Sequence, residues 1–217
     1  MRLAILGANG PVGRLLTQRA LVRGHVVTVL TRHASTFPTA APQPRVVEGD
    51  VLIARDVATV IDGADAIVSV LGAPYRFGRI DVYSRGAANV IEAMRTNGVA
   101  RFIGVTSGGT RPGWHTSEGF VFGVVLKRFI GRTLYEDMRR MEALVETSDR
   151  DWTIVRPARL LDADDVTPYE VAEDYSVGRI GVTARIDLAA FLLDEAVHPK
   201  WSRRAVAIAS PALTRRA

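Results

Sequence analysis

The chain has 217 residues, 47% of them hydrophobic and 24% charged, with a formal net charge of +5. That is the make-up of one large soluble domain able to bury a sizeable core. It has no cysteine, which excludes disulfides, thiolate metal sites and cysteine nucleophiles.

The charge is carried almost wholly by arginine, because Lys127 and Lys200 are the only lysines. The arginines are scattered and do not cluster on one helix or face, so the composition favours a solvated surface and a small anionic ligand over nucleic acid.

The first element is the apolar run "LAIL", which ends in "GANGPVG" and leads into a helical pattern over residues 11–23. It has neither the apolar length nor the cleavage site of a signal peptide, and the expected location is cytoplasmic. Gly7, Gly10 and Gly13 fall between a strand and a helix, the context a dinucleotide fingerprint requires. The first glycine permits the tight turn, the second lets backbone approach a pyrophosphate, and the third lets helix pack on strand. Pro11 suits the first helical position, where its missing N–H has no partner to lose. The helix N-terminus then offers N–H groups and a positive dipole end to the anion.

"VVTVLT" reads as the second strand, followed by Arg32. A site for NAD places an acidic residue there to accept from the ribose 2′-hydroxyl, whereas an arginine suits a 2′-phosphate. The expected cofactor is therefore NADP(H) in preference to NAD(H), with Asn9, Thr31 and Ser35 adding hydrogen bonds to the same phosphate. Residues 33–44, rich in proline and small side chains, read as a surface loop. After a third strand, "RVVEG", Asp50 has two open readings: acceptor for an adenine amino group, or cap of the helix over residues 54–61.

"ADAIVSVLG" and "RFIGVTS" flank a helix over residues 82–97 that Gly98 ends. Ser107 closes the latter strand, either as a site hydroxyl or as the start of a turn into Gly108–Gly109. The apolar run at residues 119–130 is broken by Lys127 and Arg128 and is too short to span a bilayer. It reads as core packing by default, with a lid or dimer face as alternatives. Helices over residues 135–147 and 187–197 flank the strand "DWTIVRP" and the irregular acidic stretch 160–174. The final strand, "AVAIAS", is expected to close one edge of the sheet.

Strict strand–helix alternation implies a doubly wound α/β fold of the Rossmann type, a mostly parallel sheet with helices on both faces. The whole chain, 1–217, reads as a single domain whose residues 108–134 and 160–185 form the substrate end. The four histidines lie on separate segments without ligand spacing, so no metal site is expected. Trp114 and His115 read as surface loop, within reach of the substrate pocket.

The segments "GANGPVG", "VLTR", "EGDV", "ADAIVSVLGAP", "GAANVIEAMRTNGVARFIGVTSGGT" and "DWTIVRPARLLD" occur in an order that resembles the atypical short-chain dehydrogenases. The likeness is greatest to the NAD(P)H-binding group of biliverdin-IXβ reductase (also a flavin reductase) and the NmrA-like proteins. It spans nearly the whole chain and weakens over residues 111–134. The resemblance implies that Gly7, Asn9, Gly10, Pro11, Val12 and Gly13 hold the phosphates and that Arg32 grips the 2′-phosphate. It implies Asp50 and Val51 at the adenine, and Leu71, Gly72 and Ala73 along the nicotinamide ribose. Thr106 and Ser107 would sit beside the nicotinamide, with Pro157 and Ala158 on its carboxamide face.

Most short-chain dehydrogenases pair a tyrosine with a lysine four residues on, which lowers the tyrosine pKa. Here Gly123 and Ala196 stand four residues before the two lysines, so that pair is absent. Tyr135, followed at that distance by Arg139, is the remaining tyrosine candidate, and Ser107 is the stronger catalytic candidate. Flavins and similar planar acceptors take hydride directly and draw the proton from solvent, so a dedicated tyrosine acid is dispensable. The expected function is an NADPH-dependent reductase of a planar acceptor such as a flavin or quinone. The alternative is a non-catalytic NADP(H)-binding redox sensor. No nucleic-acid or membrane partner is expected, and the chain is expected to be a monomer or homodimer.

Overall fold

Among the described residues, the β-branched runs and helical patterns fold into one eight-stranded sheet with helices on both faces, and a small two-stranded sheet after the sixth strand. In the computed structural model, residues 1–38, 42–74, 78–111, 131–173, 175–177 and 181–214 are described. In chain order the elements are β1 (Arg2–Leu6), α1 (Pro11–Val22), β2 (Val26–Thr31), β3 (Arg45–Glu48), α2 (Ala54–Ile61), β4 (Ala66–Ser69) and α3 (Val82–Thr96). There follow β5 (Arg101–Val105), α4 (Arg132–Glu146), β6 (Asp151–Pro157), β7 (Arg159–Leu161), β8 (Glu170–Ala172), β9 (Val182–Ala184), α5 (Arg185–Val197), β10 (Arg204–Ala209) and α6 (Pro211–Thr214).

The main sheet runs β3-β2-β1-β4-β5-β6-β10-β8. Every pairing in it is parallel except β10 with β8. Strand order reverses direction between β1 and β4, and the crevice at such a switch point is where open α/β sheets bind ligands.

Helices on both faces require strands apolar on both faces. Ala4 and Leu6 of β1 face a core shared with α2, α3 and α4, and Leu3 and Ile5 face one shared with α1 and α5. Gly98 (φ +67°) follows the C-cap of α3, and the Val99 N–H donates to the Met94 carbonyl at 2.9 Å, the helix stop expected of it. No helix among the described residues is long and apolar enough to cross a membrane.

The final strand does not close an edge. β10 lies between β6 and β8, and the edge is supplied by β8, from the stretch expected to be irregular. A three-residue strand leaves few unpaired edge groups, which suits it to that place. The same stretch begins with β7, which pairs in parallel with β9 in a separate two-stranded sheet. Asp187, fully buried in the first turn of α5, fastens this region by accepting from the Thr167 N–H (2.8 Å), the Thr167 hydroxyl (2.7 Å) and the Ser210 hydroxyl (2.6 Å). Helix α4 starts three residues earlier than expected, its first turn supported by an Arg132–Glu136 pair at 2.8 Å.

Candidate functional site

Gly7 leaves β1 at φ +82°, a conformation that disfavours any side chain. A Cβ there would stand 2.5 Å from the Val70 carbonyl oxygen, and one on Gly13 would stand 2.4 Å from the Gly7 carbonyl oxygen. The loop is therefore pressed against both the strand beside it and the helix it opens. Gly10 is the N-cap of α1 with Pro11 in the first turn, and no acidic side chain occupies that turn. The result is a bare backbone cradle at a positive helix end, the structure a pyrophosphate requires.

The cradle opens into a cavity of about 1620 Å³ along the carboxyl ends of the strands. Every residue that the resemblance places around the cofactor lines it, from Gly7 to Ala158, and so does Tyr135. Arg32 is exposed at the mouth, with no hydrogen bond or ion pair to any other described residue. Of its expected companions, Thr31 lines the cavity and accepts from the His33 N–H at 3.3 Å. Ser35 is absent from the cavity lining.

Asn9 is engaged within the protein. Its amide donates to the Thr36 hydroxyl at 2.8 Å, and its side-chain oxygen accepts from Arg14 at 2.5 Å. Arg14 also reaches the Asn9 carbonyl at 3.0 Å, so it clamps the glycine loop to the turn after β2. A cation near a helix start opposes the dipole, and that was the signal in the sequence for a fixed role of Arg14.

Asp50 does not cap α2, whose N-cap is Ile53. Its carboxylate accepts from the Leu52 N–H at 2.9 Å, and the Asp50 N–H donates to Asp56 at 2.9 Å. The side chain forms its own turn two residues on, as aspartate does in loops.

Ser107 starts the turn, and it does so on the cavity lining. Its hydroxyl oxygen accepts from the Gly109 N–H at 3.1 Å, starting a 3-10 turn over Gly108–Thr110, while the residue lines the cavity. Tyr135, 2% exposed, packs its ring against Gly109, where an added Cβ would come within 2.5 Å of the ring edge. Arg139 turns to the Thr110 carbonyl at 3.3 Å. Trp114, His115 and the run at residues 119–130 fall outside the described residues.

Beneath this floor lies an ion pair that was not read from the sequence. Arg156 of β6 meets Glu142 of α4 through two bonds, of 3.1 and 2.8 Å, with both side chains 6% exposed. Glu142 also accepts from the hydroxyls of Thr106 (2.6 Å) and Thr110 (3.3 Å), the residues on either side of the Ser107 turn. Burial alone disfavours the Arg156 charge, but the bonds and charge of Glu142 outweigh it and raise the guanidinium pKa. On its other face the guanidinium stacks on the Tyr175 ring at 3.9 Å. One turn further along α4, Glu146 titrates above the usual carboxylate range, first because it is partly buried and then because of the Glu142 charge.

A parallel device sits at the cofactor end. Asp137, fully buried on α4, accepts from the Tyr83 N–H at 2.9 Å and from the Ser84 hydroxyl, tying α4 to the start of α3. The Tyr83 hydroxyl in turn accepts from the Ala73 N–H at 3.1 Å, which fixes the loop after β4. The sequence signal for both acids was a charge on the apolar stripe of α4, among Leu134, Met138, Met141 and Val145.

Comparison with known proteins agrees with this geometry. Residues 7–199 match the NAD(P)H-binding family. Over 113 residues the chain is 34% identical to a 3-beta-hydroxysteroid dehydrogenase of Mycolicibacterium neoaurum, covering 47% of this chain and 31% of that protein. The chain spans between 12% and 31% of the length of the curated relatives it matches at 33–34% identity. Among solved structures, an anaerobilin reductase from Escherichia coli O157:H7 superposes with a TM-score of 0.75 at 24% identity, covering 97% of this chain and 98% of that one. A short-chain dehydrogenase/reductase from Veillonella parvula in complex with NADP gives 0.79 at 16% identity, covering 97% and 94%. At these identities the structural likeness establishes the Rossmann fold.

Proposed function

The chain belongs to the NAD(P)H-binding family, and from that premise we propose that it is an NADPH-dependent oxidoreductase that passes hydride to a planar conjugated acceptor such as a flavin or quinone. The observation that carries this reading is the continuous cavity. It begins at the glycine cradle and Arg32 and ends at Ser107, Tyr135 and Tyr175. Typical single-ligand sites enclose about 300–1,000 Å³, so a cavity of about 1620 Å³ has room for a dinucleotide and a second molecule.

The residues divide the work by position. Gly7, Gly10 and Gly13 with the N–H groups of α1 hold the phosphates, and Arg32 holds the 2′-phosphate by a two-pronged bond. Asp50 and Val51 border the adenine, Leu71, Gly72 and Ala73 the nicotinamide ribose, and Thr106, Pro157 and Ala158 the nicotinamide. When bound, NADPH supplies the hydride. The Ser107 hydroxyl accepts from the Gly109 N–H and keeps its own hydrogen to donate to an acceptor oxygen or nitrogen. Tyr135 and Tyr175 give the acceptor flat apolar walls that exclude water, and solvent returns the proton. With Arg139 bonded to Thr110, the chain's own contribution is mainly orientation.

NADPH oxidation in the presence of FMN, dichlorophenolindophenol and menadione tests the reading. Turnover with at least one is expected. No turnover across the panel, with NADP⁺ and NADPH bound equally well, would overturn the reductase reading. Arg32→Ala is expected to weaken NADPH binding at least tenfold, about 1.4 kcal/mol, with little change for NADH. Equal losses for both cofactors would remove Arg32 from the 2′-phosphate. Ser107→Ala is expected to lower kcat/KM about tenfold or more while leaving NADPH affinity unchanged. Retention of full kcat/KM would leave Ser107 only its turn.

A further inference from the structure

The charge lining the cavity is unevenly distributed. Its carboxylates among the described residues are Asp50, on the loop after β3, and Asp81, at the start of α3. The far end, beyond the carboxyl termini of β5 and β6, is lined by arginines: Arg111, Arg156, Arg159 and Arg185. No described acidic side chain lines that end.

These arginines differ in how far their charge is already satisfied. Arg156 is neutralised by Glu142 and covered by the Tyr175 ring. Arg185 meets Asp162 at 2.8 Å, but that carboxylate is 89% exposed, and solvent-screened pairs are worth little. Arg159 is exposed and has no ion pair or hydrogen bond with any other described residue. The small β7–β9 sheet carries both, with Arg159 at its first register position and Arg185 directly after its last. Their backbones are thus about three residues, roughly 10 Å, apart along the strands. The cavity lining around these charges also carries apolar residues, among them Ala158, Leu160, Val177 and Val182.

A cavity wall of one charge sign backed by low-dielectric protein concentrates the opposite charge. The guanidinium fork matches the planar oxygens of carboxylate or phosphate. We propose that the acceptor carries an anionic substituent, a carboxylate or phosphate, which Arg159 binds with Arg185 beside it while its conjugated ring lies on the apolar wall. This rests on the hydride-transfer reading above, because it names the chemical class of the molecule reduced there.

FMN and riboflavin share one ring system and differ by a phosphate, so they isolate the substituent. With the protein saturated with NADP⁺, flavin fluorescence quenching is expected to show FMN binding at least tenfold more tightly than riboflavin. Raising the salt concentration from 0.05 to about 0.5 M is expected to erode that preference, as screening shortens the range of the charges. Arg159→Ala is expected to bring the two flavins within about twofold of each other, and Arg159→Glu to reverse their order. Arg159→Lys is expected to restore part of the preference. Equal binding of both flavins by the unaltered protein, or binding of neither, would overturn the inference. A preference for FMN that persists in Arg159→Ala would overturn the assignment to this residue. FMN bound preferentially, with neither it nor the other acceptors reduced by NADPH, would uphold the anionic subsite and overturn the hydride-transfer reading alone.

Discussion

Glu142→Ala is expected to cost about 3–5 kcal/mol of stability, the usual result of leaving one member of a buried ion pair uncompensated. Both members are 6% exposed, so little solvent reaches the guanidinium to replace the lost carboxylate. The Thr106 hydroxyl loses its acceptor in the same variant, while that of Thr110 keeps the Ser107 carbonyl at 2.8 Å. Each unsatisfied buried polar group costs about 1–3 kcal/mol where no water reaches it. The damage falls on the site, because these two threonines bracket Ser107.

Urea unfolding gives the size of the effect. The midpoint should fall with little change in the denaturant slope. Removing both charges with Glu142→Leu and Arg156→Met is expected to recover most of the loss, since apolar pairs of similar volume often replace buried ion pairs without penalty. A single variant that loses less than about 1 kcal/mol would show that the pair does not hold β6 to α4.

Gly13→Ala sets two effects against each other. Inside a helix, alanine is favoured over glycine by about 1 kcal/mol, so propensity alone makes the variant more stable. The added Cβ, however, would stand 2.4 Å from the Gly7 carbonyl oxygen and 2.6 Å from the Ala8 Cα. Both neighbours are backbone and cannot rotate aside, and forcing atoms into a packed interior costs about 1–3 kcal/mol. The loop must lift from the helix, which moves the N–H groups that face the phosphates. Dinucleotide affinity is therefore expected to fall well over tenfold, read by titration with NADPH, while unfolding stability changes by less than about 2 kcal/mol. Gly24→Ala supplies the contrast. Gly24 has φ +77° with nothing within 4 Å of an added Cβ, so it is expected to lose about 1 kcal/mol of stability and no affinity.

Much of the fold was legible because local chemistry specified it. The glycine spacing at Gly7, Gly10 and Gly13 meant one thing in the context of strand and helix, and the β-branched runs marked six parallel strands with near-correct bounds. The position of Arg32 on the cavity lining was legible because its place after β2 is set by the chain, not by packing. The late segments were not, because β8 and β9 are three residues long. So short a run carries no periodicity and becomes a strand only when a partner supplies its hydrogen bonds. For the same reason, nothing in "AVAIAS" reveals that another strand covers its far side.

The two readings of Asp50 and of Ser107 could not be separated by sequence, since a turn-forming carboxylate and a ligand-binding one have the same neighbours in the chain. The site's supporting charges were hidden for a different reason. Glu142 and Arg156 lie 14 residues apart on different elements, and whether such charges are solvated, paired or buried is a question of distance in space. The sequence by itself determined the parallel layer, the phosphate cradle and the family, because each depends on backbone conformations that neighbouring residues dictate. Only the tertiary structure decided the edge of the sheet, the ion pair beneath Ser107 and the arginine wall at the far end of the cavity. Each of these arises from side chains or strand edges that meet only after long loops close.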